Sequence, residues 1–142
     1  MQLKSLDFSH NDQIPARFTC DDQDVSPHLT WHEPPENTKS FALSCKDPDA
    51  PEGNWDHWLI VNIPASVNEI PQSETIGEEI SNDFGKTGYG GPCPPLGTHR
   101  YIFKIYALDM EKLNGITKEN FVEKVQEHTI ESAELVGLYQ RQ

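Results

Sequence analysis

Tyr89-Gly90-Gly91-Pro92-Cys93-Pro94-Pro95-Leu96-Gly97-Thr98-His99-Arg100-Tyr101 is a loop stiffened by proline and glycine that runs straight into a strand. Prolines fix φ, and glycines let a ligand approach bare backbone amides. Side chains alternate faces along a strand, so His99 and Tyr101 share one side and Arg100 points to the other. The alternation continues to Leu108, with Tyr101, Phe103, Ile105 and Ala107 on one face and Ile102, Lys104, Tyr106 and Leu108 on the other. This is the clearest strand signal in the chain. A rigid loop beside a His/Tyr pair makes a pocket wall for a small anion. The plainer reading is a tight turn before a core strand, since Gly and Pro also cluster in ordinary turns.

Working outward, several short segments have strand character. Ser40 to Cys45 alternates large and small residues and suits a half-buried strand, with Cys45 as a small core residue. His57 to Ile63 is apolar on both faces apart from His57 and Asn62, which suits a covered central strand ended by Pro64. Leu29 to Trp31 begins a strand that Pro34-Pro35 ends, and Leu3, Leu6 and Phe8 mark an edge strand. Ile14 to Thr19 reads as another, and Ala133 to Tyr139 as the last. Residues 65–88 carry no long period and read as a long excursion with turns. Thr117 is a good N-cap for a helix of about Lys118 to His128, with Glu119 early and His128 late, both favourable to the helix dipole. Short strands punctuated by turns, with one helix near the end, predict a mainly β chain: an antiparallel β-sandwich with a peripheral helix. At 142 residues this is a single domain, residues 1–142, by the usual size of about 100–150 residues.

A second stretch, Asp47-Pro48-Asp49-Ala50-Pro51-Glu52-Gly53-Asn54-Trp55-Asp56-His57-Trp58, has the same character as the first: prolines, a glycine, carboxylates, then a His opening an apolar strand. Together the two resemble the signatures of the phosphatidylethanolamine-binding protein family, also called the Raf-kinase-inhibitor-protein-like family. The Pro92-Cys93 insertion before Pro94-Pro95, the short length, Asp24-Val25-Ser26-Pro27 and Asn82-Asp83-Phe84-Gly85 resemble its bacterial and archaeal branch. The resemblance implies a central sheet packed on a smaller one, with a pocket at one end of the strands. It implies a ligand-binding set of Asp47, Asp49, His57, Tyr89, Gly91, Pro94, His99 and Tyr101, supported by Pro51, Trp55 and Arg100. It further implies a pre-formed cavity for phosphate-like anions or phospho-headgroups, a kinase or protease partner, and a homodimer.

The residue types suit that task. A tetrahedral oxyanion wants converging donors such as imidazole N–H, phenol O–H and backbone amides. Asp47 is placed to accept from an imidazole and fix its tautomer. Arg100, on the opposite face, is expected to be a buried partner for Asp49. No cofactor and no metal are expected, and the chain reads as a binding module rather than an enzyme. The competing reading is a hydrolase or metal-dependent enzyme using the His/Asp pocket, with Cys93 as the one exposed thiol worth testing. His10, His28, His32 and His128 are expected at the surface.

Composition narrows the partners. Acidic residues outnumber basic ones, 23 to 11, for a net charge of −12. That balance argues against nucleic acid, whose binding needs phosphate neutralisation, and against docking on anionic lipid. No apolar run approaches the roughly 20 residues of a membrane-spanning helix. The three cysteines, Cys20, Cys45 and Cys93, form neither a disulfide framework nor a zinc motif, so the expected setting is a reducing cytoplasm.

Overall fold

The alternation read from residue 99 onward becomes a long strand whose even partner is the chain's C-terminal segment. The computed structural model describes residues 1–141. In chain order the elements are β1 (Gln2–Lys4), β2 (Leu29–His32), β3 (Ser40–Asp47), β4 (Trp55–Pro64), β5 (Glu69–Ile70), β6 (Glu78–Ile80), β7 (His99–Leu108), α1 (Phe121–His128) and β8 (Thr129–Tyr139). They form two antiparallel sheets, a large one ordered β6-β4-β3-β7-β8 and a small one ordered β1-β2-β5.

Burial follows the alternation. Phe41, Leu43, Phe103 and Ile105 of the large sheet meet Leu3, Leu29 and Trp31 of the small one in the main core. Trp31 stands edge-on to Phe41 at 5.4 Å. The opposite face of the large sheet places Ala42, Leu59 and Val61 against Phe121 and Val125 of α1. Burying a Phe or Leu side chain of this kind contributes about 1.5–3 kcal/mol. The fold is therefore the expected sandwich with one helix near the end.

Three local expectations are corrected. Residues 14–19 are no strand: Ala16–Phe18 is a 3-10 turn, closed by the Thr19 hydroxyl donating to the Ala16 carbonyl at 2.8 Å. Pro15 has no N–H for a ladder, and Ile14 and Phe18 serve as core plugs instead. The excursion at 65–88 holds two short strands, β5 and β6. The helix begins at Phe121, because Thr117 and Asn120 cap each other: the Asn120 amide donates to Thr117 Oγ1, and the Thr117 amide to Asn120 Oδ1. The three residues expected as its first turn are spent in that cap.

Antiparallel pairing positions the site. The C-terminal end of β3 lies between the N-terminal starts of β4 and β7, which brings Asp47, His57 and His99 to one end of the sheet. β4 carries a bulge there: Cys45 pairs with Trp58 but Lys46 with Asp56, leaving His57 as the extra residue. Bulges re-aim side chains at sheet ends. Here two consecutive residues turn to the same side, His57 onto Tyr101 at 5.2 Å and Trp58 into the main core.

Candidate ligand-binding site

The sheet end carries a cavity of about 200 Å³. Its floor is His57, His99, Tyr101 and Asp47, and its walls are Pro51, Trp55, Phe84, Pro94 and Pro95. The structure thus brings together five of the residues expected to bind ligand (Asp47, His57, Pro94, His99 and Tyr101) and two of the supports, Pro51 and Trp55. A larger cavity of about 640 Å³ between β1 and β8 contains none of the motif residues.

Each imidazole is tethered through Nδ1. His99 Nδ1–H donates to Asp47 Oδ2 at 2.7 Å, both side chains being nearly inaccessible. Asp47 Oδ1 accepts the Asp49 amide at 2.8 Å, so the carboxylate is itself fixed. His57 Nδ1–H donates to the Gly90 carbonyl at 2.7 Å, and the Gly90 amide returns a bond to the His57 carbonyl at 3.1 Å. A Cβ at Gly90 would lie 2.5 Å from the Phe84 ring and push that ring off His57. Asn82, fully buried, ties this corner together by donating to the carbonyls of His57 and Gly88 and accepting from the Phe84 amide. With both Nδ1 atoms engaged, Nε2 of each ring is the nitrogen left for the cavity. Tyr101 stacks on His99, and its hydroxyl is buried without a hydrogen-bond partner among the described residues.

The remaining expected residues are elsewhere. Tyr89 is turned away: its hydroxyl donates to the Phe18 carbonyl at 2.7 Å, and its ring packs on Trp58. The Gly91 amide is not open to a ligand, because it donates to Asp24 Oδ1 at 2.8 Å. Asp49 does pair with Arg100, through Nε at 2.9 Å and Nη2 at 2.8 Å, but outside the cavity. Arg100 is 55% exposed rather than buried, and its guanidinium holds the Asp49 carboxyl down at about 2. Phe84 was not among the expected residues, although its segment belonged to the motif; its ring covers His57 edge-on at 5.2 Å.

Two further expectations change. Cys93 is not a free thiol but is bridged to Cys20, and only Cys45 is unpaired, buried in the core. Disulfides are rare in a reducing cytoplasm, so the cysteines no longer support that setting. His28 is buried rather than exposed, accepting the Leu6 amide at Nδ1 and meeting Glu69 through Nε2 at 2.6 Å.

Burial holds His57 below its ordinary value of 6.5, outweighing the hydrogen bond to Gly90 and the nearby carboxylates Asp47, Asp24 and Asp56. Burial, and then the Asp47 charge, push Tyr101 up. The first shift fixes a sign. A histidine whose folded value is depressed contributes stability that is fully present above the unfolded value and is lost as pH falls below it. Urea unfolding from about pH 7.5 to about pH 5 is expected to show wild type losing more stability than His57→Gln. Parallel profiles would contradict this.

A small, pre-formed cavity floored by two tethered imidazoles and a lone phenol, at one end of a two-sheet β domain, defines a ligand-binding protein. The chain belongs to the phosphatidylethanolamine-binding protein family, whose model matches residues 4–140. It is 41% identical over 152 residues to a UPF0098 protein of Aquifex aeolicus, covering 99% of this chain and 89% of that one. It is 39% identical over 157 residues to the UPF0098 protein YbhB of Escherichia coli, covering 98% and 99%. The crystal structure of a phosphatidylethanolamine-binding protein homologue from Chlamydia trachomatis superposes with a TM-score of 0.93 at 36% identity, covering 99% of this chain and 97% of that one. That of Escherichia coli YbcL, described as a new member of the mammalian family, does so with 0.93 at 34%, covering 99% and 98%. No described helix is long and apolar enough to cross a membrane.

Proposed function

We propose that this chain is a small-ligand binding module whose cavity takes a phosphate-like oxyanion. The finer parts of the reading are a phospho-headgroup or phosphorylated small molecule as ligand, modulation of a kinase or protease by the module, and a homodimer. The observation that carries it is the convergence of His57, His99 and Tyr101 on one small cavity at the end of the large sheet, both imidazole rings tethered through Nδ1. The two Nε2 atoms supply polar contacts for the ligand. The hydrolase reading draws on the same pocket, but its candidate thiol, Cys93, is held in a disulfide.

The test is Tyr101→Phe. Removing the orphan hydroxyl should leave urea stability unchanged or raised, while calorimetry shows inorganic phosphate binding weakened about tenfold, the worth of a net hydrogen bond of about 1.4 kcal/mol. A variant that is destabilised yet binds phosphate as wild type does would reject the reading.

A further inference from the structure

The cavity wall carries one sulfur, and ligand binding does not use it. Cys93 lines the cavity and is exposed to solvent. Its bridge partner, Cys20, lies outside that lining and is half-buried. Thiol–disulfide exchange begins when a thiolate attacks one sulfur of the bond, and access helps decide which. The open approach is to Cys93. The incoming group would then remain on the cavity side, and Cys20 would be the group that leaves.

The fold also keeps Cys20 in place for the return step. Its amide donates to the Pro92 carbonyl at 3.1 Å, the Gly91 amide to Asp24 Oδ1 at 2.8 Å, and the Tyr89 hydroxyl to the Phe18 carbonyl at 2.7 Å. None of these ties involves a sulfur, so they survive opening of the bridge. They hold together two segments whose cysteine Cα atoms lie 5.4 Å apart in the bridged chain. Cys45 is buried in the core, away from the exchange.

We infer that Cys93 is a thiolation site that closes the cavity. A small-molecule thiolate of the glutathione class takes Cys93 from the bridge and stays there as a mixed disulfide over the mouth, and Cys20 removes it by attacking back. In the forward step the thiolate sulfur bonds Cys93 Sγ as the Cys93–Cys20 bond breaks, and Cys20 leaves as a thiolate that takes a proton from water. The return step reverses these bonds and releases the thiol, so neither step consumes an oxidant. What is closed is the oxyanion cavity proposed above. At about 200 Å³ it is too small to share with a tripeptide adduct on its wall. Full reduction by a dithiol leaves no adduct and so does not close it.

Two measurements test this. Wild-type chain in excess glutathione is quenched with iodoacetamide and mapped by mass spectrometry. Glutathione is expected on Cys93 and the alkyl group on Cys20; the reverse placement overturns the proposal. Cys20→Ser cannot expel an adduct, and with oxidised glutathione it is expected to hold one on Cys93. Calorimetry should then show inorganic phosphate binding weakened by more than about tenfold relative to the untreated variant, with recovery on dithiol treatment. Cys93→Ser thiolated at Cys20 should bind phosphate as its own untreated form does. An adduct on Cys93 with unchanged phosphate affinity overturns the closure. If the untreated chains bind no phosphate, the oxyanion reading fails, and the indole ¹H–¹⁵N signal of Trp55 decides closure instead. Movement of that signal on thiolation of Cys93 supports it, and an unmoved signal overturns it.

Discussion

Removal of the Cys20–Cys93 bridge, by a dithiol reductant or as Cys20→Ser with Cys93→Ser, is expected to lower unfolding stability by about 2–4 kcal/mol. The bridge joins residues 73 apart in sequence, so the unfolded chain regains the freedom of a long loop when it opens. The folded chain loses less, because other ties between the same two segments survive. The Cys20 amide donates to the Pro92 carbonyl at 3.1 Å, Gly91 to Asp24, and Tyr89 to the Phe18 carbonyl. The Pro94-Pro95 wall should therefore stay near its position, and phosphate affinity should fall by less than tenfold while the denaturant midpoint moves clearly. Urea unfolding of the oxidised, reduced and doubly substituted chains measures this. Coincident curves for all three would show that the bridge adds nothing. A loss of phosphate binding at unchanged stability would show that it acts on the cavity wall instead.

That bridge also marks where sequence reasoning stops. Tyr101 to Leu108 was legible because a period of two persists over a strand with one face buried against the smaller sheet. Two strands of two and three residues, Glu69–Ile70 and Glu78–Ile80, are too short to show any period. Phe18 has apolar character without strand pairing, since it fills the core from a turn, and Ile14 is bonded to β8 only through its amide, which donates to the Leu138 carbonyl at 2.7 Å. Cys20 and Cys93 meet only because the loop after the 3-10 turn, residues 20–24, folds onto the proline loop, a tertiary event that spacing does not encode. In the site, the residues on strand ends were legible: alternation puts His99 and Tyr101 on one face, and antiparallel pairing adds Asp47 and His57. The loop residues were not. A Gly-containing loop promises open amides, but Asp24 reaches in to take the Gly91 N–H, and the Tyr89 hydroxyl finds a backbone carbonyl. Proximity to a motif does not decide which way an N–H or a ring points. Nor does sequence pattern reveal the bulge that turns His57 toward Tyr101.

Asp47→Asn is expected to turn His99 Nδ1 from a hydrogen-bond donor into an acceptor and to tighten inorganic phosphate binding. In the wild type one carboxylate oxygen holds the Asp49 amide and the other accepts His99 Nδ1–H. An amide at position 47 keeps only one acceptor. The Asp49 backbone amide has no other partner among the described residues, so the new oxygen stays with it and the new NH₂ faces His99 Nδ1. Two donors cannot share that contact, and the imidazole proton moves to Nε2. The ring then carries its N–H at Nε2, toward the cavity, with one carboxylate charge fewer beside it. Inorganic phosphate should bind about tenfold more tightly than to wild type, a tenfold change being about 1.4 kcal/mol, near the net worth of one hydrogen bond. The exchange of a charge-assisted bond for a neutral one should also cost about 1–3 kcal/mol of folding stability. Ring ¹⁵N shifts of His99 report the tautomer directly, apart from any loss of stability. A shifted tautomer with unchanged phosphate affinity would mean that His99 does not touch the ligand. An unshifted tautomer would mean that the ring is held by something other than Asp47.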